Sequence, residues 1–500
     1  MSGEATSVRP VPLSAVAERL ARDGLLVAAP AVDVGVCGVS DDSRRVAAGD
    51  LFCAWAGTVV DSHAYVADAE RAGAVAVLVE RPVSGVTVPQ VVVTDGRRAA
   101  AAAAMRVYGD PVARLVLVGV TGTNGKTTTV WLLRHLLGAR YEAASLGTLG
   151  VRVGSGVALE GGESLTTPGP VALARSLERL VQRGVRAVAM EASSHALHQG
   201  RVDSLRFDAA VFTNLTRDHL DYHGTLEAYV AAKHRLADLL RPGGTAVVNA
   251  ADAAWRGVEL RAPRVLRFGV APTEAEVQAS GVVLDATGAR FRLGTPAGSA
   301  MVELPFTGSF NVENALGAAA AALALGFEVG EVAERLATVP QVPGRLERVA
   351  EQPCAVLTDY AHTPDALERV LSTLRPLVRG RLIVVFGAGG DRDRGKRPLM
   401  GAVVERWADV PIVTSDNPRT EDPLAIIADI EAGMRQPHLC EPDRRAAIGL
   451  ALAQARPEDV VLLAGKGHED YQILGTRRVR FDEREIVKEW LERHAPGAPR

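Results

Sequence analysis

The amino-acid sequence predicts an α/β protein built as three domains, and three observations carry that expectation. Residues 115–118 form a continuous apolar run that leads into Gly119-Val-Thr-Gly122-Thr-Asn-Gly125-Lys126-Thr-Thr128, after which Val130-Trp-Leu-Leu133 opens a helical pattern. A buried strand, a glycine turn and a helix start in that order form the local signature of a phosphate-binding loop on a parallel sheet. Short runs rich in valine and leucine recur along the chain between amphipathic stretches, the rhythm of strands joined by crossover helices. Finally, 500 residues are too many for one ordinary core and divide among about three domains.

Residues 1–112 alternate short apolar strands, at 75–79 and 91–93, with helical stretches, and Asp110-Pro111 marks a turn. They are expected to form a small N-terminal α/β domain. Residues 113–342 carry strand candidates at 115–118, 187–190, 209–212 and 245–248, the expected central parallel sheet with its phosphate loop. A more polar, Gly- and Thr-bearing insertion around 265–305 reads as antiparallel. The segment Val339-Pro-Gln-Val-Pro-Gly344 reads as a hinge. Beyond it, strands at 355–358, 382–386, 412–414 and 460–463 between helices predict a C-terminal Rossmann-like domain over 343–500.

Composition narrows the function classes. With 47% hydrophobic and 23% charged residues and a net charge of −3, the chain is globular and has no general electrostatic reason to bind nucleic acid or acidic lipid. Cys37, Cys53, Cys354 and Cys440 lack paired or metal-ligand spacing, which suits a reducing compartment. The N-terminus lacks a basic-then-apolar signal pattern, and the alanine-rich runs at 99–104 and 318–325 are too short to span a bilayer. A cytoplasmic protein with no nucleic-acid partner and no membrane insertion is expected. Of 56 basic residues only five are lysine: Lys126, Lys233, Lys396, Lys466 and Lys488. Where arginine is so favoured, a retained lysine marks a task for a compact or deprotonatable amine. All but Lys488 fall within the segments below.

In the glycine turn, the backbone N–H groups of Gly122, Thr123, Asn124 and Gly125 and the helix N-terminus suit phosphate oxygens. Lys126 reaches the outer phosphates and the Thr127 hydroxyl suits Mg²⁺, with Thr128 following. Val120 stands where the usual pattern has its first glycine, so the loop is a variant.

The remaining strings are individually ambiguous. Glu191, in Met190-Glu-Ala-Ser-Ser-His195, follows a strand and is placed either as a second metal ligand or as a solvated neighbour of a helix cap at Ser193 or Ser194. Asp218-His219-Leu-Asp221-Tyr-His223 reads either as a divalent-metal or phosphate site or as capping aspartates with incidental histidines. Lys233 either pairs with phosphate or, as a neutral amine, reacts with CO₂ to give an anionic carbamate. Asn314 either bonds a nucleotide base or caps the helix after it. Gly387-Ala-Gly389-Gly-Asp-Arg392 lacks the third glycine of a dinucleotide fingerprint. The four cations Arg392, Arg394, Lys396 and Arg397 read instead as an anion-binding loop. Asp416-Asn-Pro-Arg419 and Gly465-Lys-Gly-His-Glu469 each follow a strand and read either as ligand loops or as ordinary turns.

Together these strings resemble the cytoplasmic ATP-dependent Mur ligases of peptidoglycan assembly nearly end to end. Asp42-Ser43-Arg44, Ala48-Gly-Asp-Leu-Phe52, Thr166-Thr167-Pro168, Gly344-Arg345 and Asp359-Tyr-Ala-His362 join those above, and the order makes the likeness specific. It is greatest to the members that add 2,6-diaminopimelate to UDP-N-acetylmuramoyl-L-alanyl-D-glutamate. The resemblance implies that Asp41, Ser43 and Thr58 contact the UDP-muramoyl end. It implies that Thr166, Thr167, Ser193, Gln199 and Arg201 position the dipeptide, and that residues 122–128, Asn314, Arg345 and Asp359 bind ATP. Thr127, Glu191, His219 and carbamylated Lys233 would hold Mg²⁺, and Lys126, Lys233, His219 and Glu191 would carry the chemistry. Arg392, Asp416, Asn417, Pro418, Arg419, Gly465 and Glu469 would hold the incoming amino acid. Gly169 and Ser62 depart from the residues usual there. The implied reaction forms an acyl phosphate on the D-glutamyl carboxylate, which the amine of meso-diaminopimelate then attacks, in a monomeric enzyme. L-lysine or LL-diaminopimelate as substrate, and a non-catalytic nucleotide-binding homologue, are the alternatives. The Asp-Asn-Pro-Arg string argues against lysine.

Overall fold

Apolar runs that sequence alone marks as strands become the buried centres of three mixed α/β sheets. The computed structural model describes residues 10–494 apart from 58–59, 160–164, 260 and 286–287. The chain forms two compact units: Met1–Ser280 with Leu293–Ala300 and Glu313–Leu336, and Gly281–Arg292 with Met301–Val312 and Ala337–Arg500.

The first unit contains a five-stranded sheet made of β1 (Leu26–Ala28), β2 (Gly38–Ser40), β3 (Asp50–Cys53), β4 (Ala76–Val79) and β5 (Gln90–Val93), in the order β1-β5-β4-β3-β2. Helix α1 (Gly96–Val107) follows. The Asp95 side chain accepts from the Arg98 N–H to cap it, and all six alanines of the 99–104 run are buried. Alanine's small side chain and high helix propensity suit a helix packed on every side. The second alanine run likewise lies in a helix, Ser309–Ala324. Among the described residues no helix is long and apolar enough to cross a membrane.

The larger sheet of this unit has a parallel centre. Its strands β6 (Val116–Thr121), β7 (Ala143–Gly147), β8 (Ala187–Glu191), β9 (Phe207–Phe212), β10 (Leu240–Asn249) and β11 (Arg264–Val270) lie in the order β7-β8-β6-β9-β10-β11. Every neighbouring pair is parallel. Helices cover such strands on both faces, so they read as unbroken apolar runs, and every residue of β7 and β8 is buried. The antiparallel expectation for 265–305 fails at its start. Strand β11 runs parallel to β10, and Val277–Leu284 runs parallel to β11. The polar residues there alternate with buried ones because one sheet face is covered, a pattern that does not report strand direction.

In the second unit, β12 (Ala355–Asp359), β13 (Leu382–Phe386), β14 (Val410–Val413) and β15 (Val460–Ala464) form a parallel core in the order β12-β15-β13-β14. Arg444, on helix α2 (Arg444–Gln454), is buried and donates to Glu483 Oε1 and to the carbonyl of Ala464 at 2.8 Å each. Glu483 Oε2 accepts from Thr358 Oγ1 at 2.9 Å. One buried ion pair thus ties β12 to the end of β15, where the site loops begin. Removing one partner alone would leave an uncompensated buried charge. Glu483→Gln is therefore expected to destabilise the unit by about 3 kcal/mol, read from chemical denaturation.

Candidate active site

Ligands of open α/β sheets gather beyond the carboxyl ends of the strands. Strands β6, β8 and β9 are adjacent and end at Thr121, Glu191 and Phe212, so the three loops after them meet.

The loop after β6 turns through Gly122 (φ +146°) and Gly125 (φ +83°) into the helix Lys126–Leu137. A Cβ at Gly122 would overlap the Thr213 hydroxyl, and one at Gly125 would overlap the Asn314 amide. Gly122→Ala is expected to cost about 2 kcal/mol of stability, measured by thermal unfolding. Asn314 is buried within the helix Ser309–Ala324, against the turn, so the capping alternative fails. Asn124 N donates to Asn214 Oδ1 at 3.0 Å, and Thr123 Oγ1 lies 3.1 Å from the Tyr229 hydroxyl. Lys126 Nζ donates to the carbonyls of Gly122 and Thr123, both at 2.9 Å.

Lys233 reaches the same turn from the helix Leu226–Asp238. It is 1% exposed, and its Nζ donates to the Gly122 carbonyl at 2.6 Å and lies 4.5 Å from the Tyr229 ring centre. Burial and then the Lys126 ammonium push the Lys233 amine well below the usual lysine range, with Asp218 opposing. Two lysines on one carbonyl, the deeper one favouring its neutral form, are what a reactive amine needs. Thr127 is buried in the first turn of its helix, and Thr128 follows it.

Glu191 is 1% exposed, not solvated. Its Oε1 accepts from Thr148 N at 2.8 Å and its Oε2 from Thr148 Oγ1 at 3.2 Å. The cap reading is also half right: Ser193 accepts from Ala196 N and starts the short helix Ser194–His198. A continuous network joins the residues expected to meet the dipeptide. Thr148 Oγ1 lies 3.2 Å from Thr166 Oγ1, and Thr167 Oγ1 donates to the Glu191 carbonyl at 2.8 Å and lies 3.2 Å from Ser193 Oγ. Arg201 donates to the Thr167 carbonyl at 3.0 Å and to Gln199 Oε1 at 2.6 Å.

Past β9, His219 takes a left-handed backbone (φ +52°), and its ring stacks edge-on to His195 at 4.8 Å. His223 and Tyr222 also pack on His195. Burial, with His219, His223 and Arg201 adding, pushes His195 down to about 4, so its ring is neutral at pH 7. Among the described residues no three His, Cys, Asp or Glu side chains converge as metal ligands. The string 218–223 is therefore not a preformed cluster: Asp218 accepts from the His219 N–H, and Asp221 lies in the first turn of the helix Leu220–His223. Asp41 and Ser43 lie after β2 in the same unit, Ser43 opening a short 3₁₀ turn capped by Asp42. Thr58 lies outside the described residues.

In the second unit, the buried Asp359 carboxylate accepts from Leu346 N at 2.7 Å and Ala361 N at 2.8 Å. The Arg345 guanidinium lies 4.8 Å from the Tyr360 ring. Burial pushes the Asp359 carboxyl above its ordinary range, with Arg345 and the two N–H donors opposing. The loops after β14 and β15 bring together Asp416, Asn417 and Glu469. Asn417 Nδ2 donates to Glu469 Oε2 at 3.0 Å, and Gly465 N donates to the Asp359 carbonyl at 2.9 Å. Pro418 is buried. Arg419 is left-handed (φ +53°) and donates through NH1 to the Gly390 carbonyl at 2.6 Å. These are buried, cross-linked loops rather than ordinary solvated turns.

The four-cation anion loop is corrected. Arg397 is fully buried and paired with Glu421 and Asp429, each at 2.8 Å; Arg394 pairs with Asp429, and Lys396 donates to the His362 carbonyl at 3.0 Å. Arg392 is exposed and bonds the Asp391 carbonyl. Sequence proximity gathered cations of which all but Arg392 have partners 24–35 residues away.

Five described non-glycine residues have left-handed backbones. Four are site residues or their neighbours: His219, Leu346 beside Arg345, Asp391 beside Arg392, and Arg419. Each such backbone costs about 1 kcal/mol, strain that persists where surrounding structure imposes it. Sequence reading passed over Thr148 and Tyr229, which carried no signal; it marked Lys466 by the scarcity of lysine but gave it no role.

Comparison with known proteins places the chain in a family. A family model described as the Mur ligase middle domain matches residues 120–322. One described as Mur ligase, glutamate ligase domain, matches 344–467, and one described as Mur ligase family, catalytic domain, matches 36–112. A UDP-N-acetylmuramoyl-L-alanyl-D-glutamate–2,6-diaminopimelate ligase of Geobacillus kaustophilus is 48% identical over 459 residues, covering 89% of this chain and 93% of the relative. One of Synechococcus elongatus is 48% identical over 477 residues, covering 92% and 94%. A solved structure of a ligase of that name matches with TM-score 0.68 and 36% identity, over 91% of this chain and 95% of the other. With these three family models and relatives 48% identical over most of both chains, the chain belongs to the Mur ligase family.

Proposed function

We propose that this protein is an ATP-dependent ligase that joins meso-diaminopimelate to UDP-N-acetylmuramoyl-L-alanyl-D-glutamate. The observation that carries the reading is the convergence of Lys126 and Lys233 on the Gly122 carbonyl at the start of a helix. The relatives that are 48% identical bear the name of that activity. The division of labour follows the three segments 1–112, 113–342 and 343–500: UDP-muramoyl end, ATP and incoming amino acid.

The chemistry brings two anions together. A carboxylate oxygen of the D-glutamyl side chain attacks the γ-phosphorus, and ADP leaves. The diaminopimelate amine then attacks the acyl carbon, loses a proton, and phosphate departs with that carboxylate oxygen. The turn's N–H groups and Lys126 offset the phosphate charge as the anions approach. Thr166, Thr167, Ser193, Gln199 and Arg201 orient the dipeptide, and Asp41 and Ser43 bind the nucleotide-sugar end. Asn314 in the first unit, and Arg345 and Asp359 in the second, are each assigned to ATP. The donor set fits Mg²⁺, which prefers hard oxygen ligands: the buried Glu191 carboxylate and the Thr127 hydroxyl, with His219 and a carbamate on Lys233. When bound, the ion would supply charge neutralisation at the phosphates. The lowered Lys233 amine supports that carbamate. Its lone pair attacks CO₂, a proton leaves, and a cation becomes an anion.

Diaminopimelate ends in a carbon bearing an ammonium and a carboxylate. Arg419 suits the carboxylate through two parallel hydrogen bonds, with Arg392 two residues beyond the Gly390 carbonyl that Arg419 touches, while Asp416 and Glu469 suit the ammonium. Asn417, Pro418 and Gly465 shape the loops around it. With ¹⁸O in the D-glutamyl side-chain carboxylate, one label is expected in released phosphate. Phosphate free of label would contradict the acyl-phosphate route.

A further inference from the structure

Lys466 is as buried as any residue in the chain, at 0% exposure, yet it carries an ammonium. It sits between the loops after β14 and β15, all within the second unit. Its Nζ lies 3.0 Å from Asp416 Oδ1, 3.0 Å from Asn417 Oδ1 and 3.5 Å from Glu469 Oε2. Asn417 Oδ1 accepts a hydrogen bond from it, and the Asp416 and Glu469 carboxylates flank it as ion-pair partners around one compact charge. A planar guanidinium would not match them, which explains a lysine in a chain that otherwise uses arginine.

The consequence reaches the neighbours. Asn417 Oδ1 accepts from Lys466 and from Ile473 N at 2.9 Å, so its amide is fixed with Nδ2 toward Glu469 Oε2. Glu469 Oε1 also accepts from the Tyr471 hydroxyl at 3.3 Å. Burial pushes the Asp416 carboxyl up, but Lys466 and Arg444 outweigh it and hold the group below the usual carboxylate range. Arg444 is committed to Glu483, which leaves Lys466 as the cation shared by both carboxylates.

We propose that Lys466 is a positioning residue that sets the charge of the amino-acid pocket and with it the preference for a zwitterionic substrate end. The proposal rests on the diaminopimelate reading above. In the loops after β14 and β15, Asp416 and Glu469 contribute two negative charges and Lys466 and Arg419 two positive ones; Arg392, on the loop after β13, is exposed and screened by solvent, and Lys396 is turned to the His362 carbonyl. The sum is zero, matching the distal carbon of diaminopimelate, which bears one ammonium and one carboxylate. Without Lys466 the sum is −1, which matches the lone distal ammonium of L-lysine. Lys466 touches no substrate in this account; it acts through Asp416, Asn417 and Glu469.

The test is steady-state kinetics of Lys466→Met with both amino acids. Wild type should prefer diaminopimelate strongly. In the variant, kcat/KM for diaminopimelate should fall by about 100-fold, mostly through KM. That for L-lysine should hold or rise, and KM for ATP and the UDP-dipeptide should stay within about threefold. A merely structural role would depress both amino acids alike. Because removing one buried charge leaves the others uncompensated, the double variant Lys466→Met with Asp416→Asn is measured beside it. Its charge sum returns to zero, so its ratio of diaminopimelate to lysine should recover at least about tenfold over the single variant, or, should the single variant not fold, stand within about tenfold of wild type. An unchanged ratio in the single variant, or a double variant as indifferent to the distal carboxylate as a −1 pocket, overturns the proposal. A wild type that ignores diaminopimelate would instead overturn the functional reading.

Discussion

Lys233→Met is expected to abolish ligation, lowering kcat by about 10³-fold, while the protein stays folded and becomes more stable at neutral pH. The two halves of this prediction have separate causes. Activity is lost because methionine has no amine to react with CO₂ and so supplies no anionic ligand opposite Lys126. Stability rises because Lys233 is buried, 2.6 Å from a carbonyl and close to a second ammonium. Its amine lies well below the 10.5 of an ordinary lysine. The sign follows from linkage. A base whose folded value is depressed destabilises the fold fully below that depressed value, and the penalty disappears as pH rises through about 10.5. Methionine removes the penalty throughout that window. Thermal unfolding at pH 7 and pH 10 should show a larger stabilisation at pH 7. A companion experiment uses the wild type: stripping CO₂ should reduce turnover, and added bicarbonate should restore it. Full activity of Lys233→Met would reject the carbamate role.

The second large effect concerns the choice of amino acid. Wild type is expected to favour diaminopimelate over L-lysine by about 10⁴-fold in kcat/KM, because lysine would leave the Arg419 guanidinium desolvated and unpaired. Arg419 is held for that task. Its backbone is left-handed, its N–H donates to the Ile473 carbonyl at 3.1 Å, and NH1 is anchored on Gly390. Arg419→Lys keeps the charge and loses the fork, so diaminopimelate use should fall by about 10²-fold. Use of L-lysine, which never engaged the fork, should change little. Comparable kcat/KM values for the two amino acids in wild type would refute the assignment.

How much of this was legible in sequence depended on how local the cause is. The phosphate turn was readable because its determinants, a buried strand, two glycines with positive φ and a helix start, all lie within 116–128. The parallel strands were readable because burial on both faces leaves unbroken apolar runs. Strand β7 was missed: its residues, Ala-Ala-Ser-Leu-Gly, are small and lack β-branched character, and partners on β8 specify it. The cation string at 392–397 misled for the opposite reason, since Glu421 and Asp429 neutralise Arg397 from a distant helix and loop. The network of Thr148, Thr167, Glu191 and Arg201 joins the end of β8 to three loops and depends on strand order. Burial rules out Glu191 as a solvated neighbour, and burial is a tertiary property. The left-handed backbone at Arg419 has no marker in residue type, and that at His219 only a weak one, since histidine is among the residues enriched there.

The most direct measurement supplies the purified protein with ATP, Mg²⁺, UDP-N-acetylmuramoyl-L-alanyl-D-glutamate and either meso-diaminopimelate or L-lysine, and quantifies ADP and the lengthened peptide together by mass spectrometry. Equal amounts of ADP and tripeptide product with diaminopimelate, and almost none of either with lysine, are predicted. ADP formed without peptide, peptide formed equally from lysine, or neither product from the complete mixture would contradict the account.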